Sequence, residues 1–244
     1  MKESKIDSKR FGFKVCKTDG EVFRRATSKE VESLCNDSKL IIARVNLNDI
    51  DLINKLEDIG FRIKDTQITY KHNLTNLDKK EIFNNEVTIR EFKKSDTRIL
   101  VQMAKNSFNN YGHYFKNNEL DKERCLEVYE DWAFNTCTKK EVADKIIVAC
   151  IDNEPVGYLS FKIYDEGPGK HYAAGGMGAV DLNHRGKNIF PKILKAGLDW
   201  SFNKSLDWCE HNVIVSNFPV NRSMNKAGFK PTSPKATLHF TKIK

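Results

Sequence analysis

The sequence predicts a mixed α/β chain, α+β in its larger part, with a smaller N-terminal α/β domain ahead of a domain built on one central sheet. Three observations carry this. Met177–Trp200 reads as a strand, a basic glycine-bearing turn and a helix. Two β-rich apolar runs, Lys145–Ile151 and Val156–Tyr164, flank Asp152-Asn153-Glu154-Pro155, which predicts an antiparallel hairpin. The first 72 residues alternate strand, helix and strand.

Taken in order, residues 1–10 are polar, and Phe11–Val15 reads as a strand. Ser28–Cys35 reads as a short helix, with Thr27 as its cap and Glu30 at capping-box spacing. Leu40–Val45 is a strand of buried type. Asn48 or Asp49 can cap a helix running to about Ile59, because Ile50, Ile53, Leu56 and Ile59 recur at helical spacing. Gly60 stops it, and Phe61–His72 returns to β alternation. The polar stretch 73–86 is the expected linker, giving domains at 1–80 and 86–244.

The second domain opens with a strand, Val87–Phe92, and a helix from Asp96 to about Phe108. An aromatic loop, Phe108–Phe115, precedes the helix Asp121–Phe134, in which Cys125, Val128, Tyr129 and Trp132 fall at three- and four-residue steps. After the hairpin, Glu166–Gly176 reads as a glycine-rich loop and Met177–Leu182 as a strand. The turn Asn183–Asn188 follows, then a helix with Pro191 in its first turn, where a missing N–H costs nothing. A strand at Asn212–Ser216, a helix at Val220–Ala227 stopped by Gly228, and a strand at Ala236–Ile243 close the domain. INKLEDIGFRI and NRSMNKAGFKP echo one another across the two domains.

Composition bounds the function. With 39% hydrophobic and 30% charged residues, a packed core is expected. No apolar run is long enough to span a membrane, and the charged N-terminal decapeptide has no apolar segment of the secretory kind. The six cysteines are scattered without a C-x-x-C pair, which predicts a reduced, cytoplasmic protein and no metal site. The net charge of +8 suits an anionic ligand, but the lysines form no block and have no aromatic interleaving, so nucleic-acid binding is not expected.

The strand–turn–helix aims free backbone N–H groups and the positive end of a helix at one point beside Arg185 and Lys187, as a pyrophosphate site requires. An ordinary solvated basic turn is the alternative. AVDLNHRGKNIFPKIL and SNFPVNRSMNKAGF, in this order of elements, resemble the GNAT family of acetyl-CoA-dependent N-acetyltransferases. FGFKV, LEDIGFRIKDTQITY, YGHYF and EVYEDWAFN resemble, over nearly the whole chain, the TDP-fucosamine acetyltransferase group. These enzymes acetylate the 4-amino group of a nucleotide-linked dideoxy sugar.

The resemblance implies the GNAT fold, a mixed and mostly antiparallel twisted sheet flanked by helices. It also implies acetyl-CoA as co-substrate and an amine, expected to be a sugar nucleotide, as acceptor. Backbone at Ala179 and Val180 would hold the acyl arm, and Arg185, Gly186, Lys187, Asn188, Ile189 and Phe190 the pyrophosphate, with Arg222 nearby. Asn188 and Phe190 replace the family's two small residues. Asn217 matches the Asn that orients the cofactor arm; its other reading is a helix cap. Met224 stands where the family's acid Tyr belongs and cannot donate a proton, which leaves Ser223, water or unassisted departure of the thiolate.

For the acceptor side, Tyr111, His113, Tyr114, Tyr129 and Trp132 could stack on a base or cover a sugar face, although Tyr129 and Trp132 have helical core spacing. His113 is the first choice of base, with His171 behind it. Rival readings are a GNAT enzyme acting on another amine, such as a protein N-terminus or polyamine, and a silent CoA-binding module. Assembly as a homodimer is left open.

Overall fold

The structure, a computed structural model, describes residues 1–76 and 86–242. Residues 77–85 of the expected linker and Ile243 of the last expected strand lie outside the described residues. The chain forms two compact units. One comprises Met1–Ile68, Asn110–Val128 and Ser233–Lys244, the other Thr69–Asn109 and Tyr129–Thr232. This division is discontinuous and differs from the linear one at 80 and 86. Compactness follows contacts between residues far apart in sequence.

The first unit contains β1 (Lys2–Glu3), α1 (Lys5–Phe11), β2 (Val15–Thr18), α2 (Glu21–Arg24), α3 (Ser28–Asn36), β3 (Leu40–Asn46) and α4 (Ile50–Ile59). The strand expected at Phe11–Val15 is instead the end of α1 and the entry to β2. Gly12, at φ +75°, terminates the helix in the left-handed region, a step that glycine takes without strain. Thr27 and Glu30 form the expected capping box on α3. Asp49 caps α4 through Leu52 N–H, and Gly60 at φ +109° ends it.

β4 (Arg62–Asn73) starts in this unit. The second unit then takes β5 (Thr88–Glu91) and α5 (Thr97–Ser107). The expected aromatic loop contains one turn of helix, α6 (Gly112–Phe115), and α7 (Lys122–Thr138) follows. After these come β6 (Lys145–Ile151), β7 (Glu154–Asp165), β8 (His171–Val180), α8 (Ile189–Asn203), β9 (Trp208–Ile214), α9 (Phe218–Lys226) and β10 (Lys230–Thr241).

Strands of the first unit lie in the order β1-β2-β3-β10-β4. β10 pairs antiparallel with β3 through seven consecutive partners, from Lys235↔Asn46 to Thr241↔Leu40, while β2 runs parallel to β3. Alternation sorts the two faces. Cys16, Ile41, Ala43, Val45, Ala236 and Leu238 join Phe23, Leu52, Ile53, Leu56 and Phe61 in an apolar core. Thr237 and His239 are on the opposite face of β10, buried with His113 and Asn117.

In the second unit β9-β8-β7-β6-β5 follow one another, with β8–β9 parallel and the remaining pairs antiparallel. The hairpin forms as expected. Asp152 and Asn153 both have positive φ, the backbone a two-residue turn needs to match the strand twist. α8 buries Ile189, Ile193, Leu194, Gly197 and Leu198, an apolar stripe of which each large side chain stabilises the unit by about 1.5–3 kcal/mol. Gly197 lies against the Phe161 ring, where a Cβ would collide.

β8 begins at His171, inside the stretch expected to be a glycine-rich loop. The glycines belong to a strand because neighbours press on it. A Cβ on Gly175 would enter the His211 ring, and one on Gly176 would meet Ser160 Oγ at 2.7 Å. All six cysteines are free thiols; Cys137 is half-buried and the other five are buried. Among the described residues, no helix is long and apolar enough to cross a membrane.

Candidate active site

The second unit holds a gap between two parallel strands. β8 and β9 pair at Tyr172↔Trp208, Ala173↔Cys209 and Ala174↔Glu210, and there the ladder ends. Both strands continue, β8 to Val180 and β9 to Ile214, so they part over their last residues. Backbone groups of 175–180 that face β9 thereby lose their strand partner, and a buried amide without a partner is costly unless a ligand supplies one.

The other edge of β8 is irregular at the same level. Its register with β7 passes from Phe161↔Gly175 to Leu159↔Gly178, one residue more on β8 than on β7. This bulge bends β8 and re-aims its backbone. Ser160, inside the irregularity, donates from its hydroxyl to Met177 O at 3.1 Å. The sequence signal was present in AAGGMGAV, where small residues permit close approach, but composition reads those glycines as a loop.

At the far end of β8 is the basic turn. Asp181 accepts from Asn183 N–H and sits 3.1 Å from His184 Nδ1, which fixes the departure of the chain from the strand. Gly186 (φ +81°) and Asn188 (φ +57°) are both left-handed. Alternating left-handed residues curl a backbone so that successive N–H groups converge, an anion-binding concavity. Around Gly186 the space is open, with no atom within 4 Å of an added Cβ. Asn188 occupies the cap position of α8 without capping it through its side chain; its Oδ1 instead accepts from Lys226 Nζ at 2.8 Å. The first N–H groups of α8 are therefore not met by that side chain, and they carry the positive end of a fifteen-residue helix.

Arg185 is exposed and held in place, its guanidinium donating to Ser107 Oγ at 3.2 Å and to Val180 O at 3.4 Å. Lys187 is exposed, Ile189 is buried as the first apolar residue of α8, and Phe190 is half-buried. Arg185 through Phe190 thus form one continuous turn and helix start, directly after Ala179 and Val180 on β8. Asn217 follows β9 and caps α9, its Oδ1 accepting from Val220 N–H at 3.4 Å. Asn221 reinforces that corner by donating to three carbonyls, of Ile214, Val215 and Asn217. Arg222 is exposed and its Nε donates to Phe218 O. Met224 is buried in α9, while the hydroxyl of Ser223 donates to Pro219 O at 2.9 Å. Ser223, the candidate acid beside it, thus has its hydroxyl proton engaged by the backbone of α9.

The acceptor-side residues divide between the units. Tyr111, His113 and Tyr114 belong to the first, Tyr129 and Trp132 to the second. Tyr111 is half-buried. Tyr114 is buried and its hydroxyl donates to Asp7 at 3.2 Å. Burial and the Asp7 charge hold that phenol well above the usual range. Tyr129 stacks on Phe108 at 4.9 Å between centroids, so it is a core residue, whereas Trp132 is exposed.

His113 is buried, with Nδ1 2.8 Å from His239 Nε2. Glu119 N–H occupies the Asn117 carbonyl oxygen, so the Asn117 amide donates, to His239 Nδ1 and to Thr241 Oγ1. His239 Nε2 must then carry the proton and donate to His113 Nδ1. Burial first, then the charges of His239, Arg44 and Lys17, push His113 well below the ordinary histidine range. The ring is neutral, as a base must be, but its Nδ1 is engaged and the whole residue is inside the unit. His171, the second choice, starts β8, and its N–H donates to Asp207. Among the described residues no group of three or more His, Cys, Asp or Glu is placed to hold a metal ion.

No curated protein sequence matches the chain. Solved structures do, at low identity. A GCN5-related N-acetyltransferase from Sphaerobacter thermophilus aligns with TM-score 0.60 and 16% identity over 83% of this chain and 59% of its own. A tandem GNAT protein from the clavulanic acid biosynthesis pathway gives 0.60 and 15% over 87% and 67%. A GCN5-related N-acetyltransferase from Kribbella flavida gives 0.59 and 13% over 82% and 67%. The chain thus spans between three fifths and two thirds of the length of these proteins, and the likeness is one of fold. The model of the acetyltransferase (GNAT) family matches residues 108–229, half of the chain, including the parted strands and the basic turn. The chain belongs to the GNAT acetyltransferase family, whose members are acetyl-CoA-dependent N-acetyltransferases.

Proposed function

We propose that this chain moves an acetyl group from acetyl-CoA to the 4-amino group of a nucleotide-linked amino-dideoxy sugar by direct attack. The observation that carries acetyl transfer is the parting of β8 and β9 beyond Ala174 and Glu210, beside a bulge and ahead of an anion-binding turn. An extended pantetheine arm is a strand-like ligand, and the unpaired edge of 175–180 offers it hydrogen bonds. Arg185, Gly186, Lys187, Asn188 and the start of α8 suit the pyrophosphate, and Asn217 and Arg222, at the cap and in the body of the helix that follows β9, are proposed to join the cofactor site. A backbone N–H near Ala179–Val180, fixed before reaction, would stabilise the tetrahedral oxyanion better than mobile water. The neutral amine forms its bond to the acyl carbon, the C–S bond breaks, CoA leaves as thiolate, and the proton lost from nitrogen passes to solvent or to that thiolate.

The amino-sugar reading rests on the stretches FGFKV, LEDIGFRIKDTQITY, YGHYF and EVYEDWAFN. A neighbour aligned with TM-score 0.56 and 14% identity is described as a GCN5-related glucosamine N-acetyltransferase region, and that description of an amino sugar supports the reading. Tyr111 and Trp132 are the accessible members of the aromatic set. His113 stands as one proposal for the base, and its burial and its bond to His239 weigh against it. A cytoplasmic site of action and a homodimeric assembly belong to the same proposal.

The test is acetyl transfer read by mass spectrometry, with acetyl-CoA and a panel of TDP- and UDP-linked 4-amino-4,6-dideoxy sugars, polyamines and peptides. A gain of one acetyl group on one sugar nucleotide is expected. Transfer only to a peptide or polyamine would replace the acceptor, and acetyl-CoA binding without any transfer would point to a silent CoA-binding module.

A further inference from the structure

The residue that opens α8 is one that ordinarily closes a helix end to ligands. Asn188 is its cap residue, and an asparagine there usually turns its side-chain oxygen back onto the N–H of the second or third helical residue. The third residue is Pro191, which has no N–H, so the amide that such a cap would take is that of Phe190. Together with Ile189 N–H it precedes the first bond of the helix, from Lys192 N–H to Asn188 O at 3.3 Å. These two amides form the positive end of α8, close behind Arg185 and Lys187 in the chain. The cap is not made. Asn188 Oδ1 accepts instead from Lys226 Nζ at 2.8 Å. Lys226 is exposed in the last turn of α9, and the backbone that carries it is fixed. Met224 and Ala227 beside it are buried, Gly228 (φ +84°) follows the helix, and the Phe229 ring packs edge-on against His72 and His211.

We propose that Lys226 is a positioning residue for acetyl-CoA: by holding the Asn188 side chain it keeps the Phe190 amide open to the cofactor pyrophosphate, and it brings its own charge to the same place. This rests on the pyrophosphate reading of the basic turn. Two arguments support it. The first is conformational. Asn188 sits at φ +57°, where a glycine would fit and would leave the amides uncovered by default. An asparagine brings an acceptor to the mouth of the anion site, and the bond to Lys226 draws that acceptor away. The second is electrostatic. An ammonium beside the positive end of a helix is repelled by it, and Arg185 and Lys187 add charge of the same sign. The carboxylate of this turn, Asp181, is directed to Asn183 N–H and to His184. The negative end of α9 keeps Lys226 in place, and a pyrophosphate would turn the remaining repulsion among these cations into attraction.

The experiment is calorimetric binding of acetyl-CoA to the full chain, as wild type, Lys226→Met, Lys226→Arg, Asn188→Gly and the double variant Lys226→Met with Asn188→Gly. Lys226→Met should weaken binding about 10-fold, and the gap to wild type should narrow at high salt. Its Tm should stay near that of wild type, because the side chain is exposed. Lys226→Arg, which keeps charge and donor, should bind within about threefold of wild type. The double variant should bind about threefold or more tighter than Lys226→Met alone, since the side chain set loose by the first change is gone. A role of Lys226 in folding, or in charge alone, would give no such recovery. Binding by Lys226→Met within about twofold of wild type, or a double variant no tighter than Lys226→Met, overturns the inference alone. Failure of wild type to bind acetyl-CoA would bring down the reading of the basic turn together with it.

Discussion

Two strand pairs teach what separates scaffold from site here. β10 and β3 are joined by seven consecutive partners, and on one face of that pair lies an apolar core. β8 and β9 are joined by three and then separate. In the first pair the seven partnered residues of each strand run opposite one another without interruption. In the second, the hydrogen-bonding capacity of several residues remains for a ligand. A related contrast appears in two histidines. His239 in the closed pair is engaged at both ring nitrogens by side chains, and His211 in the open one is wedged against Gly175, Phe161 and Phe229, with Cys209 Sγ 3.8 Å from its Nε2.

The largest blow to the open pair should come from Gly175→Ala. The added carbon must displace the buried His211 ring, an overpacking that costs about 3 kcal/mol or more. Thermal unfolding of the variant should show it, and an unchanged Tm would mean that the ring relocates freely. The closed pair has its counterpart in His113→Ala. It leaves the His239 Nε2–H without an acceptor inside the first unit and should cost about 2–3 kcal/mol in denaturant titration.

Acid should strike both regions. Burial pulls His211 and His239 down to about 3 and His113 well below its usual range, whereas the unfolded chain protonates each near 6.5. Below that pH the unfolded state binds more protons, so stability present at pH 7 is lost as pH falls, by up to about 1.4 kcal/mol per unit for each ring. A Tm that stays flat between pH 7 and 5 would contradict the burial of all three.

Arg185→Ala should weaken acetyl-CoA binding about 10-fold in calorimetry, the scale of one lost charge-assisted contact, with little change in Tm because the side chain is exposed. The smallest effect is expected at Thr27→Ala. It removes one half of the capping box on α3 and should cost about 1 kcal/mol of stability while leaving acetyl-CoA affinity untouched.

Much of the architecture was legible because it is local. The Thr27–Glu30 cap, the Asp49 cap with Gly60 as stop, the Asp152–Asn153 hairpin and the start of α8 at Asn188 and Pro191 all follow from a few adjacent residues. The basic turn was legible for the same reason. What depended on distant neighbours was hidden. Glycines 175 and 176 look like a loop until His211 and Ser160 are seen against them. His113 looks like an accessible loop base until His239, 126 residues away, is found at its Nδ1. Tyr129 and Trp132 share a spacing that suits core or ligand equally; only burial separates them, one stacked on Phe108 and the other facing solvent. The entry to β2 was missed because Gly12 closes α1 inside the apolar run that reads as a strand.

The six free thiols make the chain its own record of opening. Cys16, Cys35 and Cys125 report on the first unit, Cys150 and Cys209 on the second, and burial pushes Cys209 up to about 12 and Cys125 to about 11, which keeps them unreactive while folded. Burial raises Cys137 to about 11 as well, but it is the one half-buried thiol, so a thiol-specific reagent added to the native protein should mark it ahead of the rest on access alone. The order in which the other five follow, read by peptide mapping, gives the sequence in which the two units come apart, with no label having to be engineered. The same shielding keeps the background low when the CoA released by transfer is counted through its own sulfhydryl.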